Sequence, residues 1–207
     1  MRKVYFDTET TDLTPGQIAQ LSYIIEDDST FVEAKNMFFT VDKMTSGAEG
    51  THGMSVDFLA EASNGMTILD RLPEIAKDFN GSIIIAHNVA FDTKFLSMEF
   101  WRGKTEFSPQ NTECTMKFFT PILKLSRYNG RGYKYPKLCE VMDYLKVDSD
   151  KVAAFVPKIF TNLADAPLKN VSFHDATFDT VAMWVCINVY KERQMSGDFW
   201  TTNFTRG

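Results

Sequence analysis

Five side chains in three separated stretches carry the chemistry this sequence offers. Asp7 and Glu9 stand in Val4-Tyr5-Phe6-Asp7-Thr8-Glu9-Thr10-Thr11. Asp92 closes Ile83-Ile84-Ile85-Ala86-His87-Asn88-Val89-Ala90-Phe91-Asp92, and His174 and Asp179 bound His174-Asp175-Ala176-Thr177-Phe178-Asp179. Each carboxylate lies in or beside an apolar run, where an isolated anion is costly. Four such anions held together need cations. A pair of divalent metal ions is the simplest counter-charge, and that is the apparatus of phosphodiester chemistry. All-oxygen ligation suits Mg²⁺ or Mn²⁺ and not zinc.

Each residue also has a plainer reading. Asp7 and Glu9 are two apart, so on a strand both point to one side and can bridge metals. Otherwise they are a solvated polar pair at a strand end. Asp92, in the first turn of a helix, could simply answer the helix dipole, worth a few tenths to about 1 kcal/mol. Its place after an interior strand, where α/β sheets bind ligands, favours a functional role. Asp179 has Phe178, Val181, Ala182 and Met183 around it in sequence. Either an Arg or Lys elsewhere pairs with it, or a metal does. His174 comes five residues earlier and cannot share Asp179's face of one helix. It must sit in the loop or first turn, and imidazole titrates where a base for water is needed.

The elements that must position these groups follow from pattern. Strands are predicted over Lys3–Phe6, ending in a Thr-rich turn, over Gln17–Glu26 and over Phe31–Val41, with Asp27-Asp28-Ser29 as a hairpin turn. Thr51 to Ser55 reads as loop, with Ser55 capping a helix over Val56–Ala62. Helical spacing runs over Thr67–Phe79, where Pro73 suggests an offset start. Ile83–Ala86 is wholly apolar, as an interior strand is. A helix starts at Asn88, Glu113–Phe119 is a weak strand, and helices cover Lys137–Leu145 and Ala176–Arg193. Residues 147–172 are poorly patterned and read as an insertion, with a short helix around Val152–Phe160. Residues 197–207 read as a short tail packed on the domain. Strands alternating with helices after an antiparallel hairpin argue for one layered α/β domain over 1–207.

The three motifs strongly resemble those of the DEDDh-type, DnaQ-like 3′→5′ exonucleases, the family of the proofreading subunit epsilon of bacterial DNA polymerase III. The resemblance spans roughly residues 1–193. It implies a ribonuclease-H-like fold with a central mixed five-stranded sheet flanked by helices. It implies Asp7, Glu9, Asp92 and Asp179 as ligands of two divalent ions and His174 as general base. In-line hydrolysis then releases nucleoside 5′-monophosphates from single-stranded 3′ ends. By the same resemblance Thr8, Thr10 and Leu13 line the terminal-nucleotide pocket, Leu13 as a wedge, and His52 lies near the substrate terminus. Asn88 joins the substrate contacts. His87 reads as a packing or hydrogen-bonding group beneath its motif. One departure is Asp12, where the family usually has glycine; Asp tolerates positive φ better than most residues if the position requires it.

Lys124–Lys137 interleaves Arg127, Tyr128, Arg131, Tyr133, Lys134 and Tyr135 around Gly130 and Gly132. Cations among aromatic rings suit single-strand tracking, the plain alternative being a solvated basic loop.

Composition bounds the rest. A chain of 207 residues with 44% hydrophobic and 24% charged residues is an ordinary globular chain. Removing the four motif carboxylates from the net charge of −5 leaves −1, so this is no general polyanion binder. Any grip on nucleic acid is local. Cys114, Cys139 and Cys186 are odd in number and widely spaced, reading as buried small hydrophobes in a reducing compartment. No signal-peptide h-region and no membrane span is visible, which points to the cytoplasm. The expected partners are single-stranded DNA or frayed 3′ ends, and a polymerase or other nucleic-acid-processing protein. Two alternatives stay open: a 3′→5′ exoribonuclease trimming RNA ends, and a non-catalytic nucleic-acid-binding module on the same scaffold.

Overall fold

The computed structural model describes residues 1–13, 16–161 and 174–196. The predicted tail at 197–207 and the later part of the predicted insertion lie outside them. The described residues form five strands, β1 (Arg2–Thr10), β2 (Ile18–Asp27), β3 (Thr30–Phe38), β4 (Ile83–Ala86) and β5 (Asn111–Cys114). Their order across the sheet is β3-β2-β1-β4-β5. β1 pairs antiparallel with β2 and parallel with β4, β2 antiparallel with β3, and β4 parallel with β5. This is the expected mixed five-stranded sheet. The β2–β3 turn places Asp28 and Ser29 at φ 47° and 66°. Two positive-φ residues match the right-handed twist of the strands they join.

β1 is longer than its apolar part. The expected stop after Phe6 does not occur. Thr8 and Thr10 are β-branched, suit a strand, and keep β1 paired to β2 through Thr10. Residues alternate strictly along it. Val4 and Phe6 join one core layer with Ile84, Phe79 and Phe95. Tyr5 joins the other with Ile24, Phe178, Val181 and Val189. Asp7 and Glu9 therefore face the same layer as Tyr5, and Thr8 faces the opposite one.

The helices are α1 (Ser46–His52), α2 (Val56–Ala62), α3 (Ile68–Phe79), α4 (Val89–Arg102), α5 (Thr115–Leu123), α6 (Leu138–Tyr144), α7 (Ser149–Ile159) and α8 (Ala176–Ser196). The α3/α4 layer covers one face and the α8 layer the other. Ser55 caps α2 as expected, accepting from the Phe58 amide at 3.2 Å.

Several expectations are corrected. Thr51 and His52 end α1 rather than lying in a loop, and Gly53 closes it at φ 74°. The helix over 68–79 runs through Pro73, with no break there. The Glu113–Phe119 strand is only the end of β5; from Thr115 the chain is α5, whose Phe118 and Phe119 stack edge-on against Tyr190 of α8. β3 ends at Phe38 rather than Val41. The short helix expected around Val152–Phe160 is present as α7, which starts three residues earlier, at Ser149, and buries Val152 and Val156 against α8. All three cysteines are free, but only Cys186 is buried; Cys114 and Cys139 are half-buried. No helix among the described residues is long and apolar enough to cross a membrane.

Candidate active site

β1 and β4 run parallel, and their C-terminal ends mark one edge of the sheet. Asp7 and Glu9 stand at that end of β1 on its α8 face. α8 crosses the same face and brings Asp179 to them. Oxygens of Asp7, Glu9 and Asp179 lie within 4.8 Å of one another. Three carboxylates this close repel, so something must offset them.

Among the described residues no lysine, arginine or histidine forms a salt bridge with any of the three. Two other buried acids, Asp78 and Glu99, are paired with cations. Asp78 has Lys35 at 2.9 Å, Arg2 at 3.4 Å and the Tyr23 hydroxyl at 2.9 Å. Glu99 has Arg102 at 2.9 Å. Asp179 Oδ1 is buried with no hydrogen-bond partner, as is Oε2 of Glu26, but only Asp179 of these two stands in the carboxylate trio. Among the described residues, then, Asp179 has no ion-pair partner. Three clustered carboxylates are what a divalent cation requires, and hard oxygen donors suit Mg²⁺ or Mn²⁺.

The titration of the cluster records the same tension. Burial, then repulsion from Asp179, Asp175 and Asp92, pushes Glu9 up to about 9. Burial and the neighbouring acids Asp92, Asp179 and Glu9 raise Asp7 well above the carboxylate range. Burial pushes Asp179 up to about 7, opposed by the His174 amide.

Asp92 is held beside the trio rather than within it. It sits in the first turn of α4 and is 2% exposed. Its Oδ1 accepts from the Thr8 hydroxyl at 2.7 Å and from the Thr8 amide at 3.2 Å. Burial pushes Asp92 up to about 7, with the Thr8 bonds opposing. Asn88 enters α4 at φ 78°, a left-handed conformation that Asn tolerates.

His174 occupies the turn before α8, as its five-residue offset from Asp179 required. It is exposed, adopts φ 68°, and its amide points at Asp179 Oδ2 at 3.4 Å. Asp175 accepts from the Thr177 amide at 2.8 Å and so caps α8.

The sequence matches the family model RNase_T, described as exonuclease, over residues 4–184. The chain belongs to this exonuclease family. It is similar to the DNA polymerase III subunit epsilon of Rickettsia felis, with 28% identity over 193 residues that cover 87% of this chain and 81% of the relative. It is also similar to the subunit epsilon of Rickettsia prowazekii, with 30% identity covering 68% of this chain and 62% of that protein. Among solved structures its fold resembles Exonuclease X in complex with 5′-overhanging duplex DNA, at a TM-score of 0.55 and 20% identity, covering 99% and 96% of the two chains. It also resembles E. coli Exonuclease I in complex with a dA16 oligonucleotide, at a TM-score of 0.66 and 17% identity, covering 94% of this chain and 41% of that one. The ribonuclease-H-like fold and the nuclease class expected from the motifs therefore hold.

The remaining expected site residues of this exonuclease fall into three kinds. Thr8 is buried, and its hydroxyl is occupied by Asp92. Thr10 is buried and donates to the Asp12 carbonyl at 2.9 Å, while Leu13 is 75% exposed with its amide on the Asp12 carboxylate at 2.6 Å. Asp12 is not in the left-handed region, so its departure from glycine carries no backbone penalty. At the end of α1, His52 Nδ1 accepts from the Met54 amide at 3.1 Å, which puts the ring proton on Nε2. Nε2 is buried without a partner. Burial holds this imidazole below the usual histidine range, with the Thr10 backbone opposing and His174 adding to the shift.

The basic stretch forms a small hairpin, bridged at Ser126 and Tyr133, with Gly130 and Gly132 at positive φ. Arg127 Nε donates to the Tyr133 carbonyl at 3.0 Å. Lys134 pairs with Glu140, so it is not the uncommitted cation expected. Arg131 and Tyr128 are exposed. His87 anchors the base of the hairpin, donating from Nε2 to the Pro136 carbonyl at 3.0 Å and meeting the Thr115 hydroxyl at 2.9 Å. Its packing role agrees with the reading from sequence. The polar residues on β2 that hold α8 in place were not singled out from sequence. Gln20 and Ser22 interrupt the apolar stretch Ile18–Ile25 of β2.

Proposed function

We propose that this chain is a DEDDh-type, metal-dependent 3′→5′ exonuclease that trims single-stranded ends, DNA in preference to RNA, and releases nucleoside 5′-monophosphates. The observation that carries the reading is the unpaired trio of Asp7, Glu9 and Asp179, with its orphaned buried oxygen. Those three residues would hold two divalent cations, Mg²⁺ or Mn²⁺, with Asp92 steadying the site from Thr8. When bound, such ions stabilise the attacking and leaving oxygens of an in-line displacement.

The chain's own residues supply the rest. His174 stands exposed at the rim, where an imidazole takes a proton from the attacking water at neutral pH. The imidazole of His52 lies by the Thr10 end of β1, where its Nε2–H serves as a donor to the terminal nucleotide. Leu13 presents an apolar side chain to the terminal bases. Tyr128 and Arg131 offer a ring and a charge to the incoming strand. A polymerase or another nucleic-acid-processing protein is the partner suggested by the epsilon relatives.

The test is digestion of 5′-labelled single-stranded DNA, single-stranded RNA and mismatched duplex, with and without chelator. Metal-dependent shortening from the 3′ end, fastest on single-stranded DNA, is the expected result. Faster loss of RNA would make the chain an exoribonuclease. No shortening of any substrate would leave only a binding module.

A further inference from the structure

We infer that Gln20 is a positioning residue that delivers Asp179 to the other two carboxylates by tethering the first turn of α8 to β2. The inference rests on the metal-site reading above and concerns how the site is assembled before any ion arrives.

The strand register sets up the arrangement. Glu9 lies directly across from Gln20, and Asp7 directly across from Ser22, which in turn faces Asn36 on β3. Directly paired residues share a face of the sheet. Next to the two carboxylates there is thus a polar patch of Gln20, Ser22 and Asn36, of which Gln20 and Ser22 are fully buried. Polar groups at such depth persist only when bonded. Gln20 Nε2 donates to Asn36 Oδ1 at 2.9 Å, and the Ser22 hydroxyl donates to the same oxygen at 2.7 Å. Gln20 Oε1 accepts from the Ala176 amide at 3.3 Å. A backbone N–H can only donate, so the Ala176 contact fixes which end of the Gln20 amide faces α8.

Ala176 opens α8, and its amide is one of those a helix leaves without an internal partner. A second contact falls one turn later, where the Thr180 hydroxyl donates to the Ser22 carbonyl at 3.2 Å. Asp179 lies between these two anchor points. The helix carries Asp179 to Asp7 and Glu9 against their repulsion, and these two polar tethers, together with the buried packing of Phe178, hold its first turn to the sheet. Apolar contact is non-directional and α8 is apolar almost all round at Val181–Ile187, so a hydrogen bond specifies its rotation more sharply than packing does.

Removing the tether loosens the trio. In Gln20→Met, amides 176–180 of the metal-free protein should exchange with solvent at least tenfold faster, and the manganese dissociation constant measured by calorimetry should rise about tenfold. Activity should return to within threefold of the parent at saturating Mn²⁺. Ile24→Val is the control. It lies on the same face of β2, is fully buried, and has no side-chain donor or acceptor to join the network. It should lower the melting temperature while leaving manganese affinity within twofold. Should Gln20→Met not fold, Gln20→Asn keeps an amide one methylene too short for Ala176 and is expected to behave the same way. Unchanged exchange at 176–180, or manganese affinity that falls equally in the control, overturns the tether. A parent protein that binds no manganese sinks the metal reading instead, and the exchange measurement still decides the role of Gln20.

Discussion

The Thr8 hydroxyl donates to Asp92 Oδ1 at 2.7 Å, and the Thr8 amide reaches the same oxygen at 3.2 Å. One threonine thus joins the strand that carries Asp7 and Glu9 to the helix that carries Asp92. It points away from the trio because strand residues alternate. Asp92 is therefore fixed at the back of the site, with its charge close enough to Asp7 to raise it.

Thr8→Val removes the hydroxyl and keeps the shape. Leaving a buried acceptor short of one donor costs about 1–3 kcal/mol. Thermal unfolding should show that loss. Steady-state kinetics should show kcat lowered about tenfold, as Asp92 loses its orientation, with KM little changed.

The raised carboxyls set a pH dependence of stability. In the folded, metal-free protein Asp179 and Glu9 hold their protons up to about 7 and 9. In the unfolded chain such acids lose theirs near pH 4. The folded state thus binds more protons between those limits, and its stability falls as pH rises from about 4 to about 9. Melting temperatures of chelated protein should decline over that range. Manganese binding at pH 6 should release protons, seen as a calorimetric heat that depends on the buffer's ionisation enthalpy, and the release should shrink by pH 9.

Asp179→Asn separates stability from function. It removes one of three crowded charges and leaves the helix intact. The metal-free protein should melt a few degrees higher, the rise on adding Mn²⁺ should vanish, and turnover should fall by at least a thousandfold. A variant less stable than the parent in chelator would contradict the repulsion described here.

His174→Gln tests the base. The residue is exposed, so stability should move by less than about 0.5 kcal/mol. The thermal response to Mn²⁺ should persist, while kcat falls by about 10²–10⁴, the range for a lost general base.

The hairpin prediction concerns binding alone. Tyr128→Ala and Arg131→Ala should raise KM for single-stranded oligonucleotides, by about five- to tenfold for a lost stacking platform. Arg131→Ala should also reduce the salt dependence of binding by about one counterion. Lys134→Ala should instead cost stability, since Lys134 is paired with Glu140.

Much of this was legible in the residues. Asp7 and Glu9 share a face because their spacing is two. His174 had to leave the helix because five residues is the wrong offset. Ile83–Ala86 reads as an interior strand because it has no polar position. Other features were not legible because they depend on contacts distant in sequence. β1 extends through Thr10 because β2 pairs with it that far, which its own composition did not announce. Thr115–Phe119 is β-branched and aromatic yet helical, because Phe118 and Phe119 meet Tyr190 of α8. Pairing with Glu140 takes Lys134 out of the basic loop's free charge. The clamp on α8 joins Gln20 to Ala176, 156 residues apart, and no local pattern reports it.

The most direct measurement is anomalous scattering from crystals grown with Mn²⁺. Manganese peaks bounded by the carboxylates of Asp7, Glu9 and Asp179, with Asp92 still bonded to Thr8, are the expected result. Crystals at full manganese occupancy elsewhere on the surface, with no peak among those three side chains, would contradict it.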